Sequence, residues 1–145
     1  GQILQAKLFA CGHNPKAQSI VNADTIIEAQ QLVRNVTVAD HVQDYAIRLV
    51  LATHPQGEFA PDITNRFIRF GGSPRGVQTL MLAAKCRAML DARYHVSFSD
   101  IAESYMPGMR HRIMLNFEGQ AEGISNDEVL ETILKEVPKT VEDKS

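Results

Sequence analysis

Apolar residues recur at helical spacing in several stretches of this chain, and the polar residues between them supply starts and stops. From Asn22, a good N-cap, to about Asn35, the residues Ile26, Ala29 and Val33 fall on one face. A stronger helix is predicted from about Ala39 to Thr53: Val42, Tyr45, Ala46, Leu49 and Val50 form an i, i+3, i+4, i+7, i+8 stripe, closed by Pro55 and Gly57. Tyr45 lies inside that stripe and reads as core. A third helix runs from Pro74, suited to a first helical position after Ser73 as N-cap, to about Ala92, with Val77, Leu80, Met81, Ala84 and Ala88 inward. Ser97 with Asp100 resembles an acidic capping box for a fourth helix that carries Ile101 and Ala102 inward. Pro107-Gly108 interrupts or ends it, and Arg110 to Ile113 start a last short turn. Ser125 and Glu128 form a capping box for a fifth helix with Val129, Ile133, Leu134 and Val137 as its apolar face.

Other segments carry weaker signals. Residues 1–21 open with Ile3, Leu4, Leu8 and Phe9 at near-helical spacing and break at Gly12-His13-Asn14-Pro15, a short helix and linker. The stretch from Gln56 to Gly72 lacks helical signals; within it Arg66 to Phe70 alternates imperfectly and suits a short strand or an extended approach to Ser73. The tail after Pro138 is polar. The expectation is a small all-α helical bundle over residues 22–137, with one short β-pair made from residues near 68 and 95, a linker over 1–21 and a tail over 138–145.

With 145 residues, 44% apolar and 22% charged, the chain has the composition of one globular domain. Its formal net charge of −2 supplies no global basic field to recruit nucleic acid or an acidic membrane surface. The total conceals an asymmetry. From Ile63 to Leu90 the charges are Arg66, Arg69, Arg75, Lys85 and Arg87 with no acid among them, whereas acids dominate from Glu118 onward, which suggests a basic face and an acidic one on different surfaces. Cys11 and Cys86 are the only cysteines, and Cys86 sits within the third helix at a packing position, so disulfides are not expected. No apolar run of about 18 residues and no signal-peptide pattern occurs; with reduced thiols this favours the cytoplasm, without membrane insertion.

The residue with the most chemical promise is Arg75. It falls in the first turn of the third helix, where unpaired N–H groups and the dipole favour an anion and a cation is unfavourable by a few tenths to about 1 kcal/mol. A carboxylate or phosphate opposite it would reverse that sign, and Arg69 and Arg66 stand close enough in sequence to flank the same anion. An exposed arginine without a function is the alternative. No metal is expected: Cys11 and His13 lack a second pair at zinc-ligand spacing. No glycine-flanked serine forms a nucleophile elbow. His111, between Arg110 and Arg112, reads as a structural residue that bonds free carbonyls at a helix end.

Gly71-Gly72-Ser73-Pro74-Arg75-Gly76, the alanine-rich helix after it, Val96 to Ile101, and Met109-Arg110-His111-Arg112-Ile113 together resemble the sensor-2 region of the MoxR branch of AAA+ ATPases. Val36 to Val50 is similar to the helix that precedes that motif, in the same order; the resemblance spans roughly residues 20 to 115. It implies the C-terminal helical lid of an ATPase that works as a homo-oligomeric ring and remodels or matures other proteins, chaperone-like. In that setting Arg75 reaches the γ-phosphate of ATP in the cleft between core and lid, with Ser73 and Arg69 as further nucleotide-binding candidates. The implied partners are the chain's own nucleotide-binding core, neighbouring subunits and a client protein. ATP and magnesium belong to the full-length parent and no cofactor to the fragment, because no phosphate loop G-x-x-x-x-G-K-[ST] and no strand ending in an acidic pair occurs in the sequence. The chain thus reads as an excised lid, inactive alone, with Gly1 a scar of that excision. A nucleotide-independent protein-interaction domain, and a nucleic-acid-binding helical module using Arg66 to Arg87, stand as the other readings.

Overall fold

The computed structural model describes residues 18–140. The short helix and linker expected near the start, with Cys11 and His13, lie largely outside those residues, as do the last five of the tail. The chain separates into two compact units, Gly1–Gln30 and Gln31–Ser145. Helix α1 (Ala23–Asn35), which runs past that boundary, begins as expected: Asn22 Oδ1 accepts from the Thr25 amide at 2.8 Å and from its hydroxyl at 2.7 Å. Ile26 and Ile27 are half-exposed.

The second unit contains α2 (Asp40–Leu51), α3 (Asp62–Phe67), β1 (Ile68–Phe70), α4 (Pro74–Leu90), α5 (Phe98–Met109), β2 (Met114–Leu115), α6 (Phe117–Ala121) and α7 (Asn126–Glu136). It is an all-α bundle with one small antiparallel sheet. Helices α4 and α5 pack along each other, α2 lies against both, and α7 covers α5 and α3. Tyr45 and Leu49 of α2, Leu80 of α4, Ile101, Tyr105 and Met109 of α5, and Leu130 and Ile133 of α7 are fully buried. Each such side chain removed from water contributes about 1.5–3 kcal/mol. The Tyr105 hydroxyl donates to the Leu49 carbonyl at 3.0 Å, so the one polar atom of that ring is satisfied, and burial pushes its phenol well above the ordinary value. Tyr45 is core, edge-on to Phe98 at 5.4 Å between centroids.

Both capping boxes form. Ser97 accepts from the Asp100 amide and Ser125 from the Glu128 amide, and each carboxylate reaches back to the N-cap amide. Asp100 does more, because Arg93 meets it through two guanidinium nitrogens at 2.8 and 2.7 Å. Arg93 gets there by a helix stop. Its amide bonds the Ala88 carbonyl and that of Ala92 bonds Met89, with Ala92 left-handed at φ 54°. That is a Schellman ending with alanine where glycine is usual.

The fold departs from expectation in several places, among them α6 (Phe117–Ala121), a five-residue helix that no hydrophobic period announces. The stretch from Gln56 to Gly72 does contain a helix, α3, of only six residues; two buried anchors, Thr64 and Phe67, are too few to show a period. The short β-pair exists, but β1 pairs with β2, Ile68 opposite Leu115 and Phe70 opposite Met114, whereas His95 makes an isolated parallel bridge with Thr37. Helix α5 continues through Pro107-Gly108 to Met109, since a proline in the last turn forfeits only one intrahelical bond. The acidic C-terminal segment does not lie apart from the basic one: Glu118 and Glu122 both pair with Arg66, at 2.7 and 2.6 Å.

Asp100, held by Arg93 and Ser97, has its carboxyl well below the usual carboxylate range. A depressed folded-state pKa contributes stability that is present above the unfolded value near 4 and lost as pH falls below it. Asp100→Asn is expected to cost about 1–2 kcal/mol at pH 7, and the gap from wild type to narrow progressively below about pH 4, in urea melts taken across that range. Ala92→Gly, which relieves the left-handed alanine, is expected to leave stability unchanged or raise it by up to about 1 kcal/mol in the same melts.

Candidate functional site

The start of α4 is mounted on two neighbouring helix ends. Strand β1 runs into Gly71-Gly72, which passes against the end of α2. The buried Thr53 hydroxyl donates to the Val50 carbonyl at 2.6 Å and accepts from the Gly72 amide at 2.8 Å. A Cβ on Gly71 would stand 2.5 Å from the Thr53 carbonyl oxygen, and one on Gly72 would collide with the Met109 methyl group. Gly71 is therefore needed for close approach of backbone to backbone, whereas a side chain at Gly72 would require Met109 to move. Gly76, one turn on, meets the same Met109 side chain: a Cβ there would lie 3.1 Å from its sulfur. Nothing but the paired glycines before Ser-Pro hinted at this mount, and the roles of Thr53 and Met109 were not legible in the sequence.

On that mount Arg75 is exposed in the first turn of α4, whose first turn carries no acid. Among the described residues no carboxylate pairs with it. Most other arginines are committed: Arg66 to Glu118 and Glu122, Arg87 to Glu103, Arg93 to Asp91 and Asp100, Arg110 to Asp127. Arg48 is buried and donates to the carbonyls of Pro138 and Lys139. The guanidinium of Arg69, also exposed and without an ion pair among the described residues, lies 5.1 Å from the Phe70 ring centroid. Arg66 is thus removed from any shared anion site, while Arg69 and Arg75 stay available. The same pairings break up the positive stretch from Arg66 to Arg87 that a nucleic-acid reading requires.

Two expected roles shift by one atom or one residue. Ser73 occupies the N-cap position of α4 in extended conformation, but its side chain makes no capping bond. Arg112, rather than the exposed His111, bonds the carbonyl at the end of α5: its Nε donates to the Gly108 carbonyl at 2.9 Å and its Nη2 to Thr79 Oγ1 at 3.0 Å. Cys86, expected to be buried, is partly exposed and unpaired.

Beside the α4 start, Ile47, Val50, Leu51, His54, Gly72, Pro74, Val77 and Gln78 line an open groove of about 390 Å³ between α2 and α4. Its walls are mostly apolar. No group of three or more His, Cys, Asp or Glu able to hold a metal occurs among the described residues. No described helix is long and apolar enough to cross a membrane.

Residues 61–133 match the model of the AAA lid domain, and the chain belongs to that family. Within it, the chain is the C-terminal lid of a MoxR-like AAA+ ATPase. It is 28% identical over 123 residues to Chaperone MoxR1 of Mycobacterium tuberculosis, a match that covers 85% of this chain and 33% of that protein. The chain therefore spans about a third of the length of this curated relative. The crystal structure of a "putative ATPase" from Cytophaga hutchinsonii matches with a TM-score of 0.80 at 30% identity, covering 97% of this chain and 43% of that one.

The side-chain geometry separates two serines that look alike in sequence. Ser125→Ala is expected to cost about 1 kcal/mol, because it removes a formed cap, whereas Ser73→Ala costs less than about 0.5 kcal/mol. Paired urea melts of the two variants check this. Equal losses would mean that Ser73 does cap α4.

Proposed function

We propose that residues 22–137 serve as the sensor-2 lid of a ring-forming ATP hydrolase that remodels or matures other proteins, and that Arg75 contacts the γ-phosphate of ATP. The observation that carries this reading is the pairing state of the arginines: Arg75 stands exposed at a helix start that already attracts anions, with no acid beside it among the described residues. The guanidinium offers a rigid two-pronged fork to phosphate oxygens. Arg69 is the second cation free to approach the same phosphates, and the Ser73 hydroxyl, unused for capping, is free to donate to them. The apolar groove between α2 and α4 suits the flat, weakly polar base of a nucleotide whose phosphates point toward Arg75.

The described residues fit only part of that ligand. They supply cations and an apolar wall but no cluster of metal ligands. Magnesium would be held by the nucleotide-binding core of the parent, where it neutralises charge on the phosphates. The lid's own contribution is positional: a contact made to the γ-phosphate and lost when that phosphate leaves gives lid orientation a different energy in the two nucleotide states. Neighbouring subunits and a client protein are the partners that this reading implies. The free Cys86 thiol is in keeping with a cytoplasmic parent.

In the full-length protein, Arg75→Ala is expected to slow ATP hydrolysis by about ten- to a hundredfold while ADP affinity changes much less, as judged by phosphate release and calorimetric titration. Arg75→Lys is expected to restore part of the rate, since it keeps the charge without the fork. Unchanged turnover in Arg75→Ala would remove the reading. The isolated chain is expected to fold as a helical domain by circular dichroism and to release no phosphate from ATP with magnesium present; turnover that survives rigorous purification would contradict it.

A further inference from the structure

The segment Met109 to Ile113 is another part of the sequence that carries the family resemblance, and it touches the Arg75 helix through a short relay. Arg112 Nη2 donates to Thr79 Oγ1 at 3.0 Å, and the same hydroxyl donates to the Arg75 backbone carbonyl at 2.9 Å. The other arm of Arg112, Nε, is fixed on the Gly108 carbonyl at 2.9 Å, so the guanidinium bridges the last turn of α5 and the second turn of α4, whose Thr79 reaches back to the first. Two residues earlier the chain is anchored elsewhere: Arg110 pairs with Asp127 at 2.9 Å, and Asn126 donates to the Arg110 carbonyl at 2.7 Å. Met109 fills the space left by Gly72 and Gly76.

We infer that Arg112 is a positioning residue for Arg75, acting through the Thr79 hydroxyl; the inference rests on the nucleotide reading above. The carbonyl of Arg75 accepts that hydroxyl in addition to its place in the helix, and its direction is thereby tied to a guanidinium held at two points. A guanidinium that must meet a phosphate within a few tenths of an ångström needs its own backbone fixed, and small displacements of positioning groups carry large rate costs. Arg112 is half-buried and stands in a different element from Arg75, so its charge need not reach the ligand for its loss to be felt there.

The test uses the full-length protein and four substitutions, Arg112→Met, Thr79→Val, Thr79→Ser and Arg75→Ala, each confirmed as folded by circular dichroism. Arg112→Met and Thr79→Val are each expected to lower kcat about three- to tenfold with KM for ATP changed less than about twofold, and the double variant to be no slower than the slower single one. Thr79→Ser, which keeps the hydroxyl, stays within about twofold of wild type. In an Arg75→Ala background neither Arg112→Met nor Thr79→Val lowers the rate further. Wild-type kcat in Arg112→Met and Thr79→Val, with Arg75→Ala slow, overturns the positioning role and leaves the nucleotide reading intact. Additional slowing by Arg112→Met or Thr79→Val on top of Arg75→Ala also overturns it, since the residues would then act elsewhere. If Arg75→Ala itself turns over at the wild-type rate, the nucleotide reading has failed and the inference goes with it. Should Arg112→Met not fold, the Thr79→Val and Thr79→Ser pair decides alone.

Discussion

The close approach of α5's last turn to α4's first turn is the constraint on which the rest of the lid depends. A methionine thioether occupies space that side chains on Gly72 and Gly76 would otherwise fill. Flexible sulfur packing suits such an irregular gap. Because the backbone at Gly71-Gly72 is also pressed on Thr53, the entry to α4 has contacts with two helices before any polar bond is counted. A helix start held this way has little freedom to swing relative to the bundle. Arg75 is therefore an exposed side chain on a closely packed base, the arrangement that the proposed phosphate contact would require.

Six of the arginines fall into two populations, and Arg34, Arg69 and Arg75 have no ion pair among the described residues. Those at 66, 87, 93 and 110 join elements across the surface by meeting acids from other parts of the chain, and at partly exposed positions such pairs add little stability while fixing geometry. Arg48 and Arg112 bond neutral oxygens at helix ends instead, where positive charge is favourable. What is left over at the α4 start is a cation in electrostatically poor company, and the poor company is informative. A local preference broken without local compensation points outside the chain.

Local chemistry was legible in the sequence, and non-local geometry was not. The boxes at Ser97/Asp100 and Ser125/Glu128 involve residues three apart, so the spacing alone specified them. Ser73 has the same residue type at the same helical position, yet its hydroxyl does not bond the helix, a matter of rotamer that sequence does not carry. Alternation marks β1 correctly, but its partner is not at residue 95, because two-residue β2 has no pattern of its own. Helix α3 escaped because its burial rests on Thr64, whose hydroxyl donates to the Ala52 carbonyl, and polar anchors are invisible to a hydrophobic period. In the candidate site Arg75 was readable from the Ser-Pro helix start; the neighbours that hold it came from α2 and α5, and no spacing rule reaches that far.

The small sheet has a bearing on how the chain is made. Its flank is tied by Asn116, which donates to the Arg66 carbonyl fifty residues earlier, and the amide of Asn116 bonds Phe67. Until the ribosome has delivered Leu115, the nascent chain holds β1 without its partner, and Arg66 without Glu118 or Glu122. Helices α2, α4 and α5 all precede β2 in the chain. The strand that leads into the Arg75 helix is thus completed by residues made only after α5.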